Sequence, residues 1–573
     1  MASVGRTLTH FYSEPPQGTQ IVDVRIKAID ELQRLSREYR DRTLGPDWFK
    51  QMREMYDLSD VETSSPSFRP RIRVPQLQVL LLSEATDLSD NTPRVYIVDK
   101  RDGKRDEARE RAFQEHWREG FVNEELLYSQ LYALFGGLGY IQVGFDPRGR
   151  DGRGEVWAHH RDPATVFPDP AAKNDRDWSY VIIEDRLYPG QVAWLYPETG
   201  RDIEARGTAP AAPPTIPGIN PADTGYGFEL PAGPMSYGAL GVRRAPTGDG
   251  RVVVRTTFLL DSTVDVIERE VGSDAAKRVS RLVVPKYPNG RMVVDCEGRV
   301  LADGPNPVPK GWFPLIRVLG LPTLGKFYPP PPARFTYDLQ LLAQRMLTQT
   351  FENAVRLNNG IWFIHASTGI TAEDFGGLPA EVRIINPNSQ VPQCVWPNPM
   401  PEYMTQLPAL LLQLQKELQG FTPTRAGEPG AGNISPDLFE ASVFRSQTLT
   451  RLRGRLFARS VQQLAEMMFY MMARFYVHDQ EFYSLSEKFE QHSWKAVGEE
   501  AMGSYRIQVD PASIRPLSQA GLRNLVPQLR ELGLIDAKRA LQLLELPGAE
   551  EMAEEIKNER LLAALSAVRE RRR

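Results

Sequence analysis

Cysteine is nearly absent: Cys296 and Cys394 are the only two in 573 residues. Far apart in sequence, they exclude a disulfide framework and a cysteine metal cluster, and the expectation is two reduced, unpaired thiols. No uninterrupted apolar run reaches the roughly 20 residues of a membrane-spanning helix. The opening stretch MASVGRTLTHFYSEPPQGTQ has no apolar core of signal-peptide type. A soluble chain, intracellular when made and without a membrane partner, is therefore expected. A dominant charge is also missing, since the net charge is −4 with 25% of residues charged. That balance argues against gripping nucleic acid through a basic surface, but not against letting DNA slide past. Each neutralised phosphate tightens binding, so a conduit for moving DNA needs a mostly neutral or acidic wall.

Catalytic signatures are missing as well. GRDGRGEV and GPNPVPKGW contain glycines but lack the Gly-Lys-Ser/Thr ending that cradles phosphate and holds magnesium. There is no HExxH, no G-x-S-x-G and no paired-cysteine zinc pattern, and the 7 histidines are dispersed. His159 and His160 are adjacent on an expected strand, which points them to opposite faces and speaks against a shared metal. The acidic pairs Glu499 with Glu500 and Asp175 with Asp177 read as charged residues on solvated turns, because no partner converges on them. The expectation is a non-enzymatic chain with no cofactor and no metal, in a structural or conduit role.

The chain is long enough for two or more domains, and its pattern is α+β. Ile21 to Met55 has one helical face in Ile26, Ile29, Leu32, Leu35 and Tyr39, and a second helix is expected from Val74 to before Asp90. PRVYIVDK reads as a strand, and Asp106 to Phe135 as helix up to Gly136, Gly137 and Gly139. YIQVGFD, EVWAHHR and WSYVIIEDRL read as strands. Gly200 to Asp249, rich in proline, glycine and alanine, is expected as an exposed insertion. Strands resume at RVVVRTTFLLDSTVDVIE, and Asn289-Gly290 is a two-residue hairpin signal between later strands.

The second half opens with Pro329 to Pro332, a stiff lead-in to a helix striped by Phe335, Leu339, Leu342 and Met346 and ended by Asn358 to Gly360. IWFIHAS, EVRIINP and VPQCVWP are three short apolar strands. From Tyr403, a second helix carries Leu407, Leu410, Leu411, Leu414 and Leu418 on one face and closes at Gly420. FTPTRAGEPGAGNIS follows as a mobile loop, where proline and glycine prevent any hydrogen-bonded ladder. Ser435, Pro436 and Asp437 suit the start of a new helix. From Leu438 to Phe475 an apolar stripe without proline predicts a rod of about 40 residues and roughly 60 Å. Arg445, Arg451, Arg453, Arg455 and Arg459 interleave with that stripe, which favours salt bridges between subunits, with a DNA-facing role as the alternative. SYRIQVD is a further strand, and Leu517 to Arg573 is helical.

This order of parts resembles the portal proteins of tailed bacteriophages, the podovirus-like head-to-tail connectors. The resemblance spans most of the chain. It rests on RDPATVFPDPAAKNDRDWSYVI in a β-rich first half, on GWFPLIRV before the helix from Arg334, and on the small insert between Gly360 and Pro399. Above all it rests on GFTPTRAGEPGAGNIS followed by the long helix. It implies a portal-type α+β fold in which residues 1–333 form the first part of a wing, with a flexible insertion at 200–249. Residues 334–360 and 399–420 would be stem helices, 361–398 a small α/β clip and 421–435 a tunnel loop. Residues 436–516 would be the long helix and the rest of the wing, and 517–573 a helical crown.

The resemblance implies a ring-shaped homo-oligomer of twelve subunits at one capsid vertex, through which double-stranded DNA is packaged and ejected. Thr424, Arg425, Gly427, Glu428, Gly430, Gly432 and Asn433 would border the DNA. Phe375, Glu381, Arg383 and Asn386 in the clip would face the large terminase subunit and later the tail adaptor. Further partners are the major capsid protein and scaffolding protein. The chain is placed in the virion, and in the host cytoplasm during assembly. Two alternatives stand beside it: a DNA-acting nuclease or motor subunit, and a tail adaptor without DNA passage. Physically, a heterologous interface closes into a ring, and the leucine faces are expected to bury against layers of the same or adjacent subunits.

Overall fold

Alternating β-formers build the sheets of this chain and amphipathic helices cover them, giving a mixed α+β fold in the computed structural model. The structure describes residues 21–57, 72–89, 93–174, 177–201, 203, 251–271, 278–308, 312–358, 361–363, 393–395, 401–421, 448–477, 479–483, 491–494 and 504–509, with isolated positions between 526 and 540. Most of the expected insertion at 200–249, the strand EVRIINP, the loop after Phe421, the helix start at Ser435 and nearly all of Leu517 to Arg573 lie outside the described residues.

Helix α1 spans Ile21–Leu44 and α2 spans Trp48–Asp57. Ile26, Ile29 and Leu32 are buried while Asp30, Arg34 and Arg37 face water, as their spacing predicts. The single helix expected through Met55 is instead two, because Gly45 turns the chain at φ +106° and Pro46 follows. Helix α3, Gln76–Ser89, and strand β1, Val95–Asp99, come next. The segment expected as one helix from Asp106 to Phe135 is also two, α4 at Glu107–Glu119 and α5 at Val122–Gly136. The Asp106 carboxylate caps α4 by accepting from the Arg109 N–H at 3.2 Å. The break lies at Gly120 and Phe121, the latter in the left-handed region at φ 50°.

Strands β2, Leu138–Asp146, and β3, Glu155–Arg161, form a hairpin, followed by β4, Val166–Pro168, and β5, Tyr180–Leu187. A Cβ at Gly139 would stand 2.0 Å from the Ser129 carbonyl oxygen, so glycine is what lets β2 lie against α5. Helix α6, Pro189–Leu195, precedes strands β6, Val252–Leu259, β7, Val264–Val271, β8, Arg278–Pro285, β9, Arg291–Cys296, and β10, Arg299–Pro305. The hairpin expected at Asn289-Gly290 does not form there. Strand β8 pairs with β7 as a separate ribbon, and β9 pairs with β6 and β10. The tight turn is Glu297-Gly298, both with positive φ (46° and 78°), between the paired residues Cys296 and Arg299. Cys296 is the free, unpaired thiol expected of it, buried, and burial pushes its pKa up to about 12.

The antiparallel sheet β10-β9-β6-β5-β4 is covered on both faces. On one side Ile29 and Leu32 of α1 pack with Phe167, Tyr180, Ile182, Leu259 and Val293; on the other, Val181, Ile183 and Phe258 join Trp178, Phe313, Phe327 and the faces of α2 and α3. Arg255 fastens α1 to the sheet, pairing with Asp295 at 2.6 Å and with Asp30. Burial raises the Asp295 carboxyl pKa, against the opposing pull of the Arg255 guanidinium.

Strand β11, Leu315–Leu319, completes a second sheet, β11-β2-β3. Helix α7, Arg334–Asn358, leads to the paired strands β12, Ile361–Phe363, and β13, Gln393–Val395, and helix α8, Glu402–Leu418, follows. Helix α9 is described over Thr448–Phe475, about 42 Å at 1.5 Å per residue. Its second half, including Val461, Leu464, Met468 and Met471, is buried with Ile141, Val143, Val156, Ile316 and Val318 of the second sheet. Strands β14, Gln480–Tyr483, and β15, Gln491–Trp494, pair with each other. Strand β16, Tyr505–Val509, pairs antiparallel with β1, which ties the region after α9 back to the first hundred residues.

Side chains from helices close three free strand edges. The Ile97 N–H donates to the Glu110 carboxylate at 2.9 Å on β1, and the His160 N–H donates to Glu125 at 2.6 Å on β3. On β16 the Gln462 amide both donates to the Ile507 carbonyl at 2.8 Å and accepts from the Val509 N–H at 2.7 Å. Each satisfies backbone groups that another strand would otherwise recruit.

Candidate functional site

The two long helices flanking the β12–β13 pair pack against each other, and the pairing of Gln340 with Gln415 and of Thr336 with Gln419 makes them antiparallel. Sequence periodicity gives each helix an apolar stripe, to be covered by layers of the same or adjacent subunits, and within the single chain most of those residues are not buried. On α8, Leu410, Leu414 and Leu418 are 60%, 40% and 50% exposed, and only Leu411 of the stripe is buried. On α7, Phe335 and Leu342 are exposed and Leu339 and Met346 half-buried.

The inward face, roughly a quarter-turn round α8 from its leucine stripe, carries Pro408, Gln415 and Gln419. Gln415 Nε2 donates to Gln340 Oε1 at 3.1 Å, and Gln419 Nε2 donates to the Thr336 hydroxyl at 2.8 Å and the Pro332 carbonyl at 3.1 Å. Along α7 the four-residue steps Gln340, Gln344 and Thr348 continue as a polar rail. They bond the backbone of the first turn of α3, at Leu77 N (2.8 Å), and of the residues leading into it, at Val74 O (3.3 Å) and Ile72 N (3.3 Å). The helix pair is thus held in register by buried amides, while its apolar stripes face outward in the single chain. The four-residue spacing of these amides was present in the sequence, on the same helices as the more conspicuous leucines.

The first half of α9 continues the exposed apolar surface with Leu449 and Leu452, each 37% exposed. Its arginines divide. Arg453 is buried and forms an ion pair with the buried Glu84 of α3, whereas Arg455 and Arg459 are exposed. Arg445 lies outside the described residues, and so do Thr424, Arg425, Gly427, Glu428, Gly430, Gly432, Asn433, Phe375, Glu381, Arg383 and Asn386. What the structure does describe is the α8 side of the candidate loop, through Phe421, and α9 from Thr448 onward. Gly420, at φ +78°, lies against Leu449 at the start of α9, where an added Cβ would come within 3.2 Å of the leucine side chain.

The histidine pair differs from its sequence reading. Both rings reach one carboxylate, with His160 Nδ1 2.5 Å and His159 Nδ1 3.2 Å from Glu125. Strand β3 is the edge of its sheet, so adjacent side chains can both swing toward the helix beyond it. Burial works to raise the Glu125 pKa, but the His160 N–H and ring and the His159 ring outweigh it and hold the carboxyl below its ordinary value. Among the described residues no group of three or more histidine, cysteine, aspartate or glutamate side chains has a geometry that could hold a metal ion. No described helix is long and apolar enough to cross a membrane.

A cleft of about 520 Å³ opens beside β16, walled by Trp312, Tyr470 and Tyr505, with Lys100, Glu466 and Arg506 as its charged groups. Aromatic faces and charges of both signs suit it to an amphipathic group. A scan against protein-family models finds no match, and a search of curated proteins finds none either.

Proposed function

We propose that this chain is a portal protein of a tailed bacteriophage, a subunit of a closed ring at one capsid vertex that double-stranded DNA enters and leaves. The observation that carries the reading is the α7–α8 helix pair, which is fastened by buried amides and leaves most of its apolar stripes for another surface. Two helices with unburied leucine and phenylalanine faces are poorly suited to a free monomer. Placed side by side around an axis they find cover on neighbouring copies, and a heterologous contact that closes gives a ring. The order of parts in the sequence supports the same reading, as does α9, a rod seated at one end in the β-rich core and exposing leucine at the other.

On this reading the ring has twelve subunits, residues 361–398 dock the large terminase subunit and later the tail adaptor, and residues 421–435 border the DNA. The remaining partners are the major capsid protein and scaffolding protein, and the site of action is the virion. Deleting Gly427 to Gly432 tests the conduit directly. DNA filling of heads, measured by genome content per particle, should fall while rings still assemble. Full heads with normal retention of DNA would favour a tail adaptor without DNA passage.

A further inference from the structure

Helix α3 touches α5, α7, α8 and α9, and it grips the last two by separate contacts. In its first turn Gln76 Nε2 donates to the Leu412 carbonyl of α8 at 2.8 Å, and the Leu77 N–H donates to Gln340, which also receives Gln415 of α8. Two turns further on, the fully buried Glu84 forms its ion pair with Arg453 of α9. Leu88 sits 3.4 Å from where a Cβ would stand on Gly454, so the helices approach closely one residue beyond the ion pair. Glu84 and Arg453 are 369 positions apart in sequence, so this contact is set entirely by the fold. Glu84 Oε1 and Arg453 Nε have no other hydrogen-bond partner in this buried setting. Separating the pair would strand a charge in apolar surroundings, which makes the contact hard to open partway.

We propose that α3 is a positioning clamp: Gln76 holds the second half of α8 at Leu412 and Glu84 holds the first half of α9 at Arg453, so the two helices that flank residues 422–447 move as one unit. The inference rests on the portal reading only for the use to which those helices are put. Neither Gln76 nor Glu84 is assigned any contact with DNA; both act through the helices they hold.

Hydrogen exchange of the full-length, assembled protein tests the clamp. Gln76→Ala removes a bond to α8 alone, yet it should speed exchange about tenfold both in the last turns of α8 and in the first turns of α9, which Gln76 does not touch. Glu84→Gln should speed exchange in both helices on the order of a hundredfold. Pairing Glu84→Leu with Arg453→Met, which replaces the ion pair by apolar side chains, should bring both helices back to within severalfold of the unaltered protein. Exchange that changes only in the helix each substitution touches would overturn the clamp. If Glu84→Gln does not fold, the Gln76→Ala result decides alone. A chain that proves monomeric but shows coupled exchange would refute the ring and keep the clamp; an intact ring with uncoupled helices would do the reverse.

Discussion

Replacing Leu410, Leu414 and Leu418 together by glutamate should dissolve the assembled particle into folded monomers. All three are exposed in the single chain, so their loss removes little of its own packing, and exposed substitutions ordinarily change stability by only about 0.5 kcal/mol. Covering a leucine in full contributes about 1.5–3 kcal/mol. Leu414 is 40% exposed, so a neighbour covers that remainder, worth about 0.6–1.2 kcal/mol, and Leu414→Glu alone should weaken the subunit contact severalfold to about tenfold, at about 1.4 kcal/mol per tenfold. Sedimentation velocity reads the assembly and thermal melting reads the fold. A particle of unchanged size, or a chain that unfolds without the leucines, would show that the stripe does not face a second copy.

The largest stability effect is expected from His116. Its side chain is buried on α4 against the rings of Tyr476 and Phe482, at centroid distances of 6.2 and 5.4 Å, and neither ring nitrogen has a well-formed hydrogen bond. Burial, reinforced by the nearby Arg150 guanidinium, pushes its pKa down from an ordinary 6.5 to about 3. Above pH 6.5 both folded and unfolded chains carry it neutral. As pH falls below that value the unfolded chain takes up a proton that the folded chain refuses until about pH 3, so stability is lost through this window and then levels off. At 1.36 kcal/mol per pH unit the loss from this one group is on the order of 5 kcal/mol. His116→Phe keeps an aromatic ring in the same apolar setting and should retain roughly 3 kcal/mol of that loss at pH 4. Urea unfolding at pH 7, 5.5 and 4 compares the two. Parallel acid sensitivity in both proteins would place the effect elsewhere.

Much of the fold was legible because strand alternation and helix period report burial wherever one face meets a core. Tyr180 to Ile183, the second half of α9 and the apolar face of α1 all lie where their patterns put them. The pattern does not say whether a face is covered from within the chain or from outside it. In α7 and α8 the apolar period marks the outward surface, and the intramolecular contact is written in glutamines, which a hydrophobicity reading discards. Breaks inside long periodic stretches were also missed, because Phe121 takes a left-handed conformation that no composition rule assigns to phenylalanine. The hairpin forms at Glu297-Gly298 although Asn289-Gly290 is the stronger local turn signal, because long-range pairing of β9 with β6 overrides it. His159 and His160 converge on Glu125 because an edge strand relaxes the opposite-face rule, and edge position is a property of the sheet rather than of the segment.

The mass of the purified protein in solution bears most directly on all of this. Native mass measurement, with particle images viewed down the symmetry axis, should show one closed ring of fixed subunit number around an open centre. A monomer at working concentrations, or open chains of indefinite length, would contradict the account.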